Sequence, residues 1–180
     1  MTKRNYLMRS YFEMSKMRVF GVSGYSGTGK TTLVEAIIRS LIKSGHSVAT
    51  VKSSKHEAGP NQGTDTWRHM QAGASMTIFL GPKAESGKFT DRIGSDELVR
   101  LSNYEFLIVE GMKSANIPKF WCVGDTELKH DDIPVNTQAI VSWSDKAAIP
   151  GLDLPIFIAD EIDELVKIVK IRSLDISEIQ

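Results

Sequence analysis

The chain has 180 residues, of which 41% are hydrophobic and 24% are charged, and this composition fits one globular domain with its own core. Lysine plus arginine and aspartate plus glutamate number 22 each, so no net charge would draw the protein to nucleic acid or to an anionic membrane. The single cysteine, Cys122, excludes an intrachain disulfide and a multi-cysteine zinc site, and it is typical of a reducing compartment. No apolar stretch has the length of a membrane span or forms an N-terminal signal core, so we expect a cytoplasmic protein.

The N-terminal segment 1–16 shows no strand or helix period. It is either an added, disordered arm or a stretch that precedes a natural start at Met17. A compact strand-like run begins only at Met17. We therefore expect an extension over 1–16 and one folded domain over 17–180.

The pattern from Met17 onward alternates short apolar runs with helical periods. This predicts βαβ units and an α/β fold, with a mostly parallel twisted sheet and helices on both faces. Predicted strands span 18–22, 47–52, 75–80, 105–109, 119–123, 137–143 and 155–158. Predicted helices span 30–44 and 64–72, and two more begin at Ser95 and Asp160.

Some apolar side chains have predicted surroundings as well. Trp67 and Met70 are expected on the inner side of the second helix. The strands 119–123 and 137–143 are candidates for a sheet edge or a dimer surface. Trp121 and Trp143, which these strands carry, belong either to an exposed patch or to the core.

A glycine-rich loop follows the first predicted strand and reads Gly-Tyr-Ser-Gly-Thr-Gly-Lys-Thr over residues 24–31. Between a strand and a helix, such a loop points backbone N–H groups at phosphate oxygens, and the helix N-terminus adds its positive end. Lys30 would reach the β- and γ-phosphates, and the Thr31 hydroxyl would ligate Mg²⁺. A glycine-rich turn with an incidental lysine is the alternative. The flanking strand and helix favour a P-loop NTPase-like domain that binds a nucleoside triphosphate.

A P-loop site also needs a carboxylate near the metal, and Glu110 ends the apolar run 106–109. This is the Walker B position, with glutamate in place of the usual aspartate. Its side chain would reach Mg²⁺ directly or through a water molecule, and the alternative is an ordinary acidic residue at a strand end. We expect Lys30 and Glu110 to be the catalytic residues, and Thr31 and Glu110 to be the metal ligands.

Charged residues follow the second predicted strand, where loops at the carboxyl ends of parallel strands line the ligand crevice. Lys52, Lys55 and His56 form a local cationic group that suits the γ-phosphate or a second phosphorylated ligand, unless the loop is simply solvated. Asp65 either organises Mg²⁺ through water or lies in the first turn of a helix, where carboxylates are favoured.

Five segments in this order resemble the MobB family, the molybdopterin-guanine dinucleotide biosynthesis protein B family. The segments are 24–32, 51–57, 63–67, 72–74 and 109–113, and the resemblance extends over about residues 17–170. It implies a homodimer that binds GTP with Mg²⁺ and hydrolyses it slowly. The implied role is to assist the guanylyltransferase MobA, which joins GMP to molybdopterin, so MobA and the molybdopterin cofactor are the implied partners.

The predicted site combines the loop, the strand ends and the segments of this resemblance. Its expected nucleotide, metal or second-ligand residues are Gly24, Ser26, Gly27, Thr28, Gly29, Lys30, Thr31, Thr32, Lys52, His56, Asp65, Glu110 and Lys113.

Two other functions remain open at this point. A small-molecule kinase would need an acceptor pocket and a lid that carries arginines. The segment 83–92 is the candidate lid, and Arg92 and Arg100 are the candidate arginines. A nucleotide-switched module for metal or cofactor insertion would instead use the loop 52–56.

Hydrolysis and base preference are the last expectations. Turnover should be very slow, because no glutamine lies next to Glu110 and no arginine is evident for the γ-phosphate. The nearest substitutes are Lys113, Lys55 and His56. The preference for guanine rests on the family resemblance, with Asp145 as a candidate acceptor for the guanine N1 and N2 groups.

Overall fold

The computed structural model describes residues 16–54, 61–81, 89, 92–124, 130–144 and 151–179. Lys55, His56, Asp145 and most of the proposed lid 83–92 lie outside these residues, as does nearly all of the segment 1–16. The strands of the described part are β1 (Arg18–Gly24), β2 (Val48–Ser53), β3 (Met76–Leu80), β4 (Phe106–Glu110), β5 (Lys119–Val123), β6 (Thr137–Ser142), β7 (Ile156–Ile158) and β8 (Leu174–Asp175). The α-helices there are α1 (Lys30–Lys43), α2 (Asp65–Gln71), α3 (Ser95–Leu101) and α4 (Ile162–Arg172).

The strands form one sheet in the order β3-β2-β4-β1-β5-β6-β7. Neighbouring strands along this path are parallel, and only β8 is antiparallel, where it pairs with the first residues of β1. All seven predicted strands and four predicted helices are confirmed to within two residues. The two-residue strand β8 is an addition, because so short a segment has no readable period.

Apolar side chains cover both faces of the sheet. On one face, α1 and α4 pack against alternate residues of the central strands, among them Phe20, Ile108 and Phe120. On the other face, α3 and the C-terminal turn Ile176–Glu178 pack against Val19, Leu107 and Val109. The fold is therefore α/β, P-loop NTPase-like, with helices on both faces as predicted. Among the described residues, no helix has the length and apolarity that crossing a membrane requires.

The second half of the sheet differs from the prediction. Both β5 and β6 have neighbours on each side, so neither is a sheet edge. Trp121 lies in the middle of β5 and is buried, with 1% of its surface exposed. Trp143 follows the last residue of β6 and is 43% exposed, since it is beyond the paired part of the strand. Trp121 therefore belongs to the core, and Trp143 is partly exposed at the surface.

The inner side of α2 was predicted wrongly. Met70 is 54% exposed, whereas Thr66 and His69 are buried. The helix begins after Thr64, whose hydroxyl accepts a hydrogen bond from the Trp67 N–H. Its buried side faces a polar part of the sheet, so polar residues turn inward there.

Candidate nucleotide site

The loop between β1 and α1 has the backbone geometry of a phosphate cradle. Gly24 and Gly29 have φ angles of 147° and 73°, in the region that favours glycine. A Cβ at Gly24 would lie 2.4 Å from the Cys122 carbonyl oxygen, and one at Gly29 would lie 2.1 Å from the Trp143 ring nitrogen. Any larger residue would therefore push the loop away from β5 or from Trp143. The loop leads directly into α1, whose first N–H groups are available to an anion.

A pocket opens above this loop and contains most of the predicted site. Its lining residues are Ser26, Gly27, Gly29, Lys30, Thr31, Thr32, Lys52, Asp65, Arg68 and Glu110. Gly24 and Thr28 lie behind the lining and shape the loop: the Thr28 hydroxyl, for example, donates to the Tyr25 carbonyl oxygen at 2.9 Å. Lys113 also lies outside the lining, with its ammonium 4.1 Å from the centroid of the Tyr25 ring.

Lys30 is the cation at the start of α1. Its ammonium donates to the Tyr25 carbonyl oxygen and thereby lies across the loop. Burial lowers the pKa of Lys30, and Lys52 and Lys113 act in the same direction, while Glu110 opposes them. A bound phosphate would supply the anion that this group lacks.

Glu110, at the end of β4, is fully buried beneath the pocket. One carboxylate oxygen, Oε1, accepts hydrogen bonds from Lys52 Nζ at 2.5 Å and from the Thr31 hydroxyl at 2.8 Å. The other, Oε2, lies 2.9 Å from His69 Nε2. Burial alone would raise the pKa of Glu110, but His69 and Lys52 hold it at about 2. The carboxylate is therefore ionised at neutral pH, as a magnesium ligand must be.

His69 is a site residue that the sequence reading missed. It is fully buried in α2, between Glu110 and the Thr50 hydroxyl, which lies 3.2 Å from His69 Nδ1. These contacts fix the ring against the carboxylate. The available signal was spacing, since His69 follows Asp65 by four residues and so lies on the same side of the predicted helix.

Asp65 and Lys52 complete the polar cluster. Lys52 Nζ lies 2.5 Å from Asp65 Oδ2, and the Thr31 hydroxyl donates to Asp65 Oδ1 at 3.0 Å. Burial lowers the pKa of Lys52, but Glu110 and Asp65 more than offset this and raise it. Lys52 is therefore a cation held by two carboxylates, and Asp65 is close enough to Thr31 to share in a metal site.

Arg68 is the second residue that was missed, because arginines were sought in the segment 83–92 and at Arg100. It extends from α2 to the pocket, where its guanidinium donates to Glu35 Oε1 at 2.5 Å and to the Thr32 hydroxyl at 3.2 Å. The described part of the pocket therefore contains an arginine after all.

Trp143 borders the loop on the side away from α2. Its ring nitrogen donates to the Thr28 carbonyl oxygen at 3.0 Å, which fixes the half-exposed indole beside the phosphate loop.

The donor set fits Mg²⁺. Thr31, Asp65 and Glu110 supply hard oxygen atoms, which Mg²⁺ prefers, and phosphates would supply further ones. The Thr31 hydroxyl is 2.8 Å from Glu110 Oε1 and 3.0 Å from Asp65 Oδ1. Adjacent ligands of an octahedral Mg²⁺, at about 2.1 Å from the metal, are about 3 Å apart. Within the described residues, no group of three or more His, Cys, Asp or Glu side chains could hold a metal ion. The candidate donors here are two carboxylates and a hydroxyl.

Comparisons with known proteins identify proteins of similar sequence. A protein of Methanocaldococcus jannaschii, assigned as a molybdopterin-guanine dinucleotide biosynthesis adapter protein, is 39% identical over 119 residues, which are 62% of this chain and 49% of that protein. The match therefore spans about half the length of this relative. The adapter protein of the same biosynthesis from Haemophilus influenzae is 31% identical over 119 residues, covering 63% of this chain and 67% of that protein.

The fold has solved counterparts as well. The crystal structure of Bacillus subtilis MobB superposes with a TM-score of 0.58 at 23% identity, covering 87% of this chain and 98% of that one. The family model described as molybdopterin guanine dinucleotide synthesis protein B matches residues 19–143, which include the phosphate loop, α2 and Glu110. The chain therefore belongs to the molybdopterin guanine dinucleotide synthesis protein B family, MobB.

Proposed function

We propose that this protein is a GTP-binding adapter in molybdenum cofactor biosynthesis, which assists the conversion of molybdopterin to molybdopterin-guanine dinucleotide. The observation that carries the proposal is the pocket in which the phosphate loop, with Lys30 and Thr31, meets the ionised Glu110. The relatives' names supply the pathway, since two similar proteins are named as adapter proteins of that biosynthesis.

The nucleotide would bind with its phosphates in the loop. The backbone N–H groups of the loop and of the first turn of α1 would hold phosphate oxygens, and the Lys30 ammonium would turn from the Tyr25 carbonyl to the terminal phosphates. Thr31, Glu110 and Asp65 would hold Mg²⁺. When bound, Mg²⁺ neutralises phosphate charge and fixes the triphosphate in one orientation.

Hydrolysis would be slow for a geometric reason. Fast phosphoryl transfer needs a group that orients the attacking water and a cation on the γ-phosphate. Among the described pocket residues, none is a glutamine, and Arg68 is tied to Glu35 and Thr32. The protein would therefore hold GTP for a partner and hydrolyse it at most weakly by itself.

The guanine preference remains part of the proposal. Trp143 offers a fixed, half-exposed indole face beside the phosphate loop, and a purine could stack on it. Asp145 follows two residues later in the sequence and is the proposed acceptor for the guanine N1 and N2 groups.

The proposed partners follow from the family. They are a MobA-type guanylyltransferase and the molybdopterin cofactor in the cytoplasm, with a homodimer as the working form. His56 and Lys55 are retained as residues for the second ligand.

Three measurements test the proposal. We expect calorimetry to show GTP binding that ATP displaces poorly, and single-turnover assays to give a hydrolysis rate constant of at most about a few per hour, the order of unassisted GTPases. A MobA-type guanylyltransferase added to the assay should form a complex with the protein. Equal affinity for ATP and GTP would remove the guanine claim, and brisk hydrolysis independent of protein concentration would remove the adapter role.

A further inference from the structure

The Lys52 ammonium occupies an unusual position for a lysine. It lies between two carboxylates from different elements, 2.5 Å from Glu110 Oε1 and 2.5 Å from Asp65 Oδ2. The side chain is 11% exposed and points along the same sheet face as Glu110, its register partner on β4. A single positive charge therefore lies between two carboxylates at the base of the phosphate pocket.

The same two carboxylates belong to the candidate magnesium site. The Thr31 hydroxyl donates to both of them, at 2.8 Å and 3.0 Å, which is the spacing of adjacent ligands around Mg²⁺. The ammonium contacts both carboxylates of that donor set. It shares Glu110 Oε1 with the Thr31 hydroxyl, and on Asp65 it contacts Oδ2, next to the Oδ1 that Thr31 contacts. It would therefore compete with a metal for these carboxylates.

Electrostatics explains why a cation is needed between these two carboxylates. A buried carboxylate without a counter-charge is strongly unfavourable, and two close together are worse. The other cations that line the pocket have partners elsewhere: Lys30 contacts the Tyr25 carbonyl, and Arg68 contacts Glu35 and the Thr32 hydroxyl. His69 contacts Glu110 at Oε2. Lys52 is the cation that bridges Glu110 and Asp65.

We propose that the Lys52 ammonium is a built-in substitute for the divalent cation, which keeps the site assembled and suppresses metal binding until a triphosphate arrives. This rests on the proposed function. When Mg²⁺ and the triphosphate bind together, Thr31, Glu110 and Asp65 would hold the metal, and the Lys52 ammonium would move to pair with the terminal phosphate. The exchange makes metal binding conditional on nucleotide, because only the nucleotide offers Lys52 a new anionic partner.

The test is divalent-cation binding without nucleotide, with Mn²⁺ as the probe and electron paramagnetic resonance as the readout. Lys52→Met removes the ammonium and keeps a similar shape. We expect this variant to bind Mn²⁺ at least about tenfold more tightly than the wild type, within the range of ordinary coupling between sites. Asp65→Asn in the Lys52→Met background should cancel the gain. Lys167→Met, at an exposed lysine paired with Glu164, is the control for the loss of one positive charge.

A wild-type affinity equal to that of Lys52→Met would overturn the proposal, and so would an equal gain in Lys167→Met. If Lys52→Met unfolds without metal, Mn²⁺ should refold it. If it does not, the wild type decides: Mn²⁺ alone should leave the acetylation rate of Lys52 relative to Lys43 unchanged, whereas Mn²⁺ together with GTP should change it. A ratio that already changes with Mn²⁺ alone would contradict the proposal. A protein that fails to bind GTP but shows these metal effects would refute the proposed function and leave the metal substitution standing.

Discussion

Lys52 on β2 and Lys119 on β5 are both buried lysines of one sheet, and they lie in regions of opposite electrostatic character. Lys52 contacts the carboxylates of Glu110 and Asp65, which keep it charged. Lys119 is 1% exposed and donates to two backbone carbonyls, those of Lys113 at 2.8 Å and Ala115 at 2.6 Å. No carboxylate of the described residues offsets this, and burial lowers the pKa of Lys119 to about 8.

The difference separates a binding region from a structural one. A cation held by carboxylates can be exchanged for another cation, which is what a metal site requires. A lysine held by backbone carbonyls acts as a hydrogen-bond donor and fixes the segment 113–115, which follows Glu110 in the chain. The first region would respond to ligands, and the second would hold the segment that follows Glu110 in place.

The largest expected effect is the loss of stability when Glu110, which pairs with Lys52, is removed. Glu110→Ala leaves the Lys52 ammonium with one carboxylate and His69 with no partner on that side, and removing one member of a buried ion pair costs about 3–5 kcal/mol. Urea unfolding should show a loss of that size, whereas Lys119→Met should lose much less, because a neutral side chain replaces a poorly solvated charge. Equal losses in the two variants would show that the two regions do not differ in this way.

The next effect is a pH dependence that belongs to Lys119. Its pKa is about 8 in the folded protein and about 10.4 when unfolded, so the unfolded chain binds more protons between these values. The free energy of unfolding should therefore rise with pH from about 8 to 10, by up to about 3 kcal/mol. Urea titrations at pH 7.5 and 9.5 should show this rise in the wild type and a smaller one in Lys119→Met. The contrary result is an identical pH dependence of the two proteins.

Low pH should reduce the free energy of unfolding through Glu110, in the region around Lys52. The pKa of Glu110 is held at about 2, so its stabilising contribution is present above the ordinary glutamate value and is lost as the pH falls from about 4.5 towards 2. Glu110→Gln should flatten the stability profile in that range, by up to about 3 kcal/mol on the scale of the shift. Lys119→Met serves as the control, since Lys119 stays protonated there. A profile as steep in Glu110→Gln as in the wild type would assign acid sensitivity to other carboxylates.

Ligand affinity gives a somewhat smaller effect. Lys30→Ala removes a charged hydrogen-bond donor to phosphate, which is worth about 1.5–3 kcal/mol, and so should weaken GTP binding by about tenfold to a hundredfold. Its fold should be kept, because the hydrogen bond of the Lys30 ammonium within the described residues is to the exposed Tyr25 carbonyl of the same loop. Calorimetry gives the affinity and circular dichroism checks the fold. Unchanged GTP affinity would remove the phosphate assignment.

The smallest effect concerns the base. Trp143→Ala should cost about 1–3 kcal/mol of GTP binding if the indole stacks on guanine, the usual range for base–aromatic stacking. Inorganic triphosphate, which has no base, is the matched probe and should bind both proteins alike. A parallel loss for triphosphate would mean that Trp143 acts only by supporting Thr28 and Gly29.

The sequence predicts those features whose cause is local. The first helix and the strands have clear apolar periods, and the phosphate loop and Glu110 are set by motifs between neighbouring elements. Trp121 and Trp143 are harder, because burial depends on whether a residue lies within the paired strand or just after its end.

The roles of His69 and Arg68 could not be predicted from the local sequence. Both lie on α2, and their roles depend on how that helix packs over β2 and β4 and beside α1, which no spacing within the helix reveals. The incorrect inward position predicted for Met70 has the same cause. The sequence pattern predicts an apolar surface beneath α2, where the structure has Thr50 and Glu110 instead.

If Glu110 holds a divalent cation together with GTP, the affinity for GTP depends on that cation. Calorimetric titrations of GTP in Mg²⁺ and in EDTA measure this dependence. The wild type should bind GTP more tightly with Mg²⁺ than without it. Glu110→Gln should bind equally in both conditions, at the metal-free affinity of the wild type. A Mg²⁺ effect of the same size in both proteins would contradict the account.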